Sequence, residues 1–324
     1  MISSGTDGTA CWPTSHYSIR RAPFQRNDGV PGVQIAMCRF VLYLGPEVTL
    51  DVLTTRPSNS IIHQSHHSRL RSEPLNGDGF GIAWYVPDAS PNPARFHSIQ
   101  PAWNNLNLLH LSRVCKSSAI LAHVRAATKG TGVSETNCHP FTAGRLAFMH
   151  NGSVANFAKV RRQILEQLSD ESFSRVQGTT DSELLFALFC DHLAERKNDD
   201  TESMADAIET TIAKVVKLAS EAGVVGDSFL NLAVSNGTSA VVSRYATANA
   251  ECPSLYTSAG ERFVCENGVC RMIECDGVAS SIVVASEPLN DEPNWASVPP
   301  NHLVLVHPDR SMQLRVVVGS LRCP

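Results

Sequence analysis

Between residues 153 and 222 the chain changes its hydrophobic period and then changes back, and this switch restricts the fold more than any other feature. Upstream stand apolar runs of strand length: CRFVLYL at 38–44, the end of NGDGFGIAWYV at 76–86, AILAHVRAAT at 119–128 and RLAFMHNG at 145–152. Inside the block the spacing becomes helical. Segment 153–169 carries Val154, Phe157, Val160, Ile164 and Leu168, and segment 180–195 opens on Thr180 with Glu183 three residues on, a capping box. A third segment, 201–222, repeats Met204, Ile208, Ile212, Val215 and Ala219 and stops at Gly223. Downstream the strand pattern returns. Apolar runs flank Asn236-Gly237 and Asn267-Gly268, each spaced for a type I′ hairpin turn, and SSIVVAS (280–286) and HLVLVHP (302–308) follow. Strands, then helices, then strands predict an α+β sandwich with helices on sheet faces rather than a βαβ alternation.

A chain of 324 residues, 43% hydrophobic and 18% charged, can bury a large core. Its net charge of -4 gives no electrostatic reason for nucleic acid or an anionic membrane as partner. No apolar stretch approaches the roughly 20 residues that span a bilayer. Residues 1–36 are rich in Ser, Thr, Gly and Pro, lack the apolar segment of a signal peptide, and read as a disordered or absent leader, with order beginning at Met37. The ten cysteines show neither zinc-ribbon pairs nor the density of a stapled secreted domain. They read as mostly reduced, Cys265 and Cys270 included, in a cytoplasmic chain. His63, His66 and His67 lack acidic or cysteine partners at ligand spacing and read as a solvated loop, so neither a metal nor a cofactor is expected.

Among the cysteines, Cys38 is distinguished by its address directly after Met37. With Met37 removed, its thiol and a free α-amine share one residue, and the amine can take the thiol's proton without a histidine. The competing reading is an internal, buried strand cysteine. His150-Asn151-Gly152 ends a strand ahead of a helix, where an amide side chain and a Gly N–H could aim at an oxyanion, although Asn-Gly more commonly marks a plain turn. Arg125 follows a strand and suits a bidentate grip on a carboxylate, or a structural ion pair. Asp181, in the first turn after Thr180, could meet an ammonium or merely complement the helix dipole. Cys138-His139 does not form a dyad in extended chain, because adjacent side chains point to opposite faces.

These segments, in this order, resemble one family. Met-Cys-Arg-Phe at 37–40, NGDGFGIAWY at 76–85, AHVRAAT at 122–128, CHPF at 138–141, FMHNGSVANF at 148–157 and GTTDSE at 178–183 are similar to the class II glutamine amidotransferases, over roughly 37–310. PAWNNLN at 101–107, SETNCHPF at 134–141 and ASEPL at 285–289 look most like the fungal amidotransferase-like subunit of the glutathione-degrading complex. The resemblance implies a four-layer αββα sandwich of the N-terminal-nucleophile hydrolase type, with a glutamine amidotransferase type-2 domain over 37–324. It implies Cys38 as nucleophile with its own amine as base, and Asn151 and Gly152 as oxyanion hole. Arg125, assisted by Thr128, would hold the α-carboxylate of a γ-glutamyl group and Asp181 its α-ammonium; Ser286-Glu287 would border the site. Glutathione cleavage to glutamate and cysteinylglycine beside a metallopeptidase-like partner is the implied activity. Alternatives are a γ-glutamyl thiol metabolite such as the sulfoxide intermediate of ergothioneine synthesis, glutamine hydrolysis feeding ammonia to a partner, or a binding subunit with Cys38 blocked. Any catalytic reading requires translation from Met37 or removal of the leader, because an upstream residue turns the amine into an amide. Arg56, Asn59 and Gln64 are further candidates for touching a leaving group.

Overall fold

The computed structural model describes residues 37–70, 75–127, 132–247, 250–266 and 268–317. Thr128 and the segment 1–36 lie outside the described residues. β1 (Arg39–Thr49) is apolar on both faces, which only a strand covered on both sides tolerates. It occupies the middle of a seven-stranded sheet, β13-β9-β12-β1-β4-β2-β3, built with β2 (Phe80–Trp84), β3 (Ala94–Ser98), β4 (Lys116–Val124), β9 (Tyr256–Gly260), β12 (Ser281–Ala285) and β13 (Ala296–Ser297). Antiparallel register places Arg39 opposite Val124 and Val41 opposite Ala285. The second sheet, β15-β14-β8-β7-β6-β5, contains β5 (Phe141–Ala143), β6 (Leu146–Ser153), β7 (Phe229–Ser235), β8 (Ala240–Arg244), β14 (His302–Val306) and β15 (Met312–Val316). A separate hairpin joins β10 (Arg262–Glu266) to β11 (Val269–Ile273).

Three apolar cores make the layers. Phe40, Leu42 and Leu44 of β1 interdigitate with Ala147, Met149, Ala233 and Val242 between the two sheets. The opposite face of β1, Val41 and Tyr43, packs against α1 (Asp51–Thr54), α2 (Ile61–His67), α3 (Leu106–Ser112) and Phe263 of the hairpin. The outer face of the second sheet is covered by α4 (Phe157–Leu165), α5 (Asp170–Arg175), α6 (Asp181–Ala194) and α7 (Thr201–Glu221), through Val160, Leu185, Ile208 and Val215 among others. Helices, sheet, sheet and helices give the expected αββα order, with the helical block 153–222 as one outer layer.

Several local expectations are corrected. The segment expected as one helix over 153–169 divides: β6 continues through Ser153, and α4 begins only after Asn156, which is left-handed at φ 41°. The Asn236-Gly237 connection is no type I′ turn, which needs two positive-φ residues. Only Gly237 is positive, and Asn236 Oδ1 instead accepts from the N–H groups of Thr238 and Ser239 in a four-residue loop. His63, His66 and His67 belong to a helix rather than a loop. Cys265 and Cys270 are disulfide-bonded, not reduced, because they face each other across the hairpin with Cα atoms 4.0 Å apart. No helix among the described residues is long and apolar enough to cross a membrane, and no cluster of His, Cys, Asp or Glu among them suits a metal.

Candidate active site

Strand alternation selects which residues can meet. Phe40, Leu42 and Leu44 face the space between the sheets, so Cys38, continuing that parity, opens into the same space at the end of β1. Leu121 has the same facing on β4, and two further steps of two reach Arg125. Ala147 and Met149 have it on β6, and the next such position is Asn151. Three residues far apart in sequence thus arrive at one end of one interlayer space.

Hydrogen bonds tie them together. The Ala126 N–H donates to Cys38 Sγ at 3.4 Å, so the residue after Arg125 touches the thiol. Arg125 exchanges backbone hydrogen bonds with the glycine-rich turn, its N–H reaching Gly79 O at 2.8 Å and its carbonyl accepting from Asp78 N at 3.1 Å. Its guanidinium lies against the carbonyls of Asp78 (3.4 Å) and Gly132 (3.3 Å). The Asp78 carboxylate accepts from Ala127 N at 2.7 Å. The NGDG turn therefore shapes the wall beside the thiol.

Asn151 is fully buried; its Nδ2 donates to Ser286 Oγ at 3.3 Å, and Ser286 Oγ also accepts from Phe40 N at 3.1 Å. Ser286 thereby spaces Asn151 from the start of β1, as its expected place at the border of the site requires. Asn151 keeps a second N–H on Nδ2, while its buried Oδ1 has no partner among the described residues. At Gly152, φ is 155° and a Cβ would stand 1.9 Å from the Phe229 carbonyl oxygen, so no other side chain fits. Asp181 Oδ2 accepts from Val154 N at 2.8 Å and Oδ1 from Ser182 N at 2.8 Å. The carboxylate thus ties the end of the Asn151-Gly152 segment to the first turn of α6.

Two imidazoles support this geometry. His123 Nε2 lies 3.2 Å from the carbonyl oxygen of His150, the peptide that carries the Asn151 N–H. His150 itself bridges Ser182 Oγ and Phe229 O, each at 2.9 Å. Burial drives the His123 pKa down to about 3 and lowers that of His150 against the opposing pull of Asp181. His139 stacks on His123 with ring centroids 4.1 Å apart, while the Cys138 thiol, raised to about 11 by burial, lies near Ser98 O and Ser134 O. The absence of a Cys138-His139 dyad agrees with strand alternation.

Arg39 escaped sequence reasoning. Arg39 Nη1 donates to the Cys38 carbonyl at 2.9 Å and its Nε pairs with Glu287 at 2.7 Å, both side chains buried. A charged residue inside the apolar run CRFVLYL was the available signal, but nothing local indicated a partner 248 positions away. Asn59 and Gln64 each engage an N–H with a nearby carbonyl, while Asn59 Oδ1 and Gln64 Oε1 have no partner among the described residues. Asn59 Nδ2 donates to Pro288 O and Gln64 Nε2 to Asn59 O, holding the 286–290 segment in place, and Arg56 pairs with Asp51. A cavity of about 770 Å³ opens on the flank where β3 and β5 meet α5 and α6, and none of the candidate residues lines it.

Comparison with known proteins finds relatives over most of the chain. The family described as "Glutamine amidotransferases class-II" matches residues 54–317, a span that begins after Cys38. The probable glutamine amidotransferase DUG3 of Saccharomyces cerevisiae is 42% identical over 301 residues, 84% of each chain. The gamma-glutamyl-hercynylcysteine sulfoxide hydrolase of Mycolicibacterium smegmatis is 28% identical over 83% of this chain and 95% of that protein. Among solved structures, a glutamine aminotransferase class-II domain protein from Silicibacter pomeroyi superposes with a TM-score of 0.61 at 25% identity, covering 87% of this chain and all of that one. The glutamine phosphoribosylpyrophosphate amidotransferase of B. subtilis, at 18% identity and a TM-score of 0.55 over 87% of this chain and 50% of its own, shares the fold.

Proposed function

Because the chain belongs to the class II glutamine amidotransferases, we propose that it hydrolyses γ-glutamyl amides with Cys38 as its first residue and nucleophile, and that glutathione is the substrate. The observation that carries this reading is the convergence of Cys38, Arg125 and Asn151 at one end of the intersheet space, with Ala126 N–H on the thiol. In the full sequence Met37 is joined to Cys38, so this mechanism requires a working form that begins at Cys38.

The Cys38 amine takes the thiol proton, and Sγ attacks the γ-carbonyl carbon. The second N–H of Asn151 Nδ2 and the Gly152 N–H stabilise the resulting oxyanion. Collapse breaks the C–N bond, and the ammonium returns its proton to the leaving nitrogen. Water then adds to the thioester, glutamate departs and the thiol is restored. Arg125, assisted by Thr128, holds the α-carboxylate and Asp181 the α-ammonium, which together distinguish a γ-glutamyl end from an internal peptide bond. The segments PAWNNLN, SETNCHPF and ASEPL and the similarity to DUG3 support glutathione among the possible γ-glutamyl amides, with a metallopeptidase-like partner consuming cysteinylglycine.

Intact mass and N-terminal sequencing of protein from its native source test the first requirement: recovery of chains starting only at Met1 ends the mechanism. Assay of that material with glutathione, glutamine and the hercynylcysteine sulfoxide conjugate, with and without partner, then ranks the substrates. Cys38→Ala is expected to lose at least about a thousandfold in kcat, and full retained activity would remove the nucleophile assignment.

A further inference from the structure

Helix α2 buries Ile61, Ile62, Gln64 and Ser65, which leaves positions 63, 66 and 67 together on its other face. The three imidazoles there form a compact cluster, with ring centroids 5.3 Å (His63–His66), 5.5 Å (His63–His67) and 5.0 Å (His66–His67) apart. The half-exposed indole of Trp103 extends the surface, 5.6 Å from His66. None of these histidines forms an ion pair with a carboxylate among the described residues, nor does the group suit a metal. His66 Nδ1 donates to Ile62 O at 3.1 Å, which leaves Nε2 on the far side of the ring.

Both flanks of the cluster lead to the candidate active site. Ser68, directly after His67, accepts from Arg39 Nη2 at 3.0 Å, and the same guanidinium donates to the Cys38 carbonyl. On the other flank, Trp103 closes on Gly77, where a Cβ would lie 3.0 Å from the ring; Gly77 precedes Asp78, whose carbonyl accepts from Arg125. The surface is thus linked through Ser68 and Arg39 to the Cys38 carbonyl, and through Gly77 and Asp78 to Arg125.

We propose that His63, His66, His67 and Trp103 form the leaving-group subsite, and that it selects γ-glutamyl compounds whose leaving amine carries a free carboxylate, as the terminal glycine of glutathione does. This rests on the γ-glutamyl hydrolase reading above. A carboxylate accepts hydrogen bonds from protonated imidazoles and relieves the repulsion among them, while the indole covers the apolar part of the leaving group. Burial lowers the His63 pKa, and His66, His67 and Arg69 lower it further against the opposing charge of Glu287; Arg69 is itself paired with Asp291. The lowered pKa favours the neutral form of His63, so an anion bound there must draw a proton onto it, and its affinity falls as pH rises.

Calorimetric titration of the Cys38→Ala protein in the form that begins at residue 38 tests this without turnover, using glutathione and γ-glutamylcysteinylglycinamide. The expected result is a preference of about tenfold for the free acid at pH 6, declining by pH 8. The H63Q/H66Q/H67Q variant should lose the preference while holding the amide within about twofold, and H67Q alone, at the exposed position, should lose part of it. Trp103→Ala should weaken both ligands and Trp103→Phe neither. Equal binding of acid and amide by the Cys38→Ala parent, or a preference that survives in the triple variant, overturns the subsite and leaves the hydrolase reading intact. Failure of that parent to bind either compound defeats the γ-glutamyl reading itself.

Discussion

Glu287 has no solvent exposure, and its carboxylate accepts from Arg39 Nε, from the Ser68 hydroxyl and from the Arg69 N–H. Burial alone would raise its pKa, but the Arg39 charge and these hydrogen bonds outweigh burial and hold it below the usual carboxylate range. A depressed pKa contributes stability that is complete above the unfolded value near 4.3 and is lost as pH falls through the folded one. Glu287→Gln leaves Arg39 buried without a counter-charge, and thermal unfolding at pH 7 should show a loss of about 3–5 kcal/mol. Activity should fall as well, since Arg39 also holds the Cys38 carbonyl. At Asn151 the expected effect is on the reaction rather than the fold: Asn151→Ala should lower kcat by about 10²–10³ with little change in KM. A proportional rise in KM instead would assign Asn151 to substrate binding.

At the scale of elements, the start of α6 joins fold to site. Thr180 Oγ1 accepts from Glu183 N at 3.2 Å, as the capping-box spacing indicates. The Glu183 carboxylate does not close the box on Thr180; it accepts from Gln177 N and Gly178 N at 2.8 and 2.7 Å, anchoring the loop that leads to Asp181. Thr180→Ala should therefore cost about 1 kcal/mol in denaturant unfolding, and Glu183→Ala more, with a loss of activity that the cap variant does not share. Equal losses of activity would mean that loop position does not depend on the Glu183 carboxylate. The period of α7 was legible because it is long and one-sided. The end of β6 was not, because Val154 and Phe157 fit a helical period even though the Asp181–Val154 bond holds Val154 outside the helix. The disulfide was missed for a similar reason: opposed cysteines were visible, but their bonding depends on a hairpin geometry that composition does not carry.

Across the whole molecule, buried histidines make folding sensitive to acid. His123 is lowered to about 3 and His97 to about 4 by burial, and His139 and His150 are lowered by the same cause. His123, His97 and His139 stay neutral in the folded chain through the mildly acidic range and protonate near 6.5 once unfolded, so their contribution is complete above pH 6.5 and declines as pH falls toward the folded values. Each takes away about 1.4 kcal/mol per pH unit in that window. Denaturant midpoints should therefore drop steeply between pH 6.5 and 4.5, and a flat profile there would mean that these imidazoles accept protons within the folded state. The sequence by itself determined the outer helical layer, the doubly covered strand at Cys38 and the motifs implicating Cys38, Arg125, Asn151, Gly152 and Asp181, because period and residue order are local properties. Only the tertiary structure decided that strand parity turns Cys38, Arg125 and Asn151 into one space, that Glu287 neutralises Arg39, and that three histidines of α2 cluster on one face of that helix. The first two outcomes depend on register between strands and helices far apart in the chain, and no local pattern encodes a partner's position.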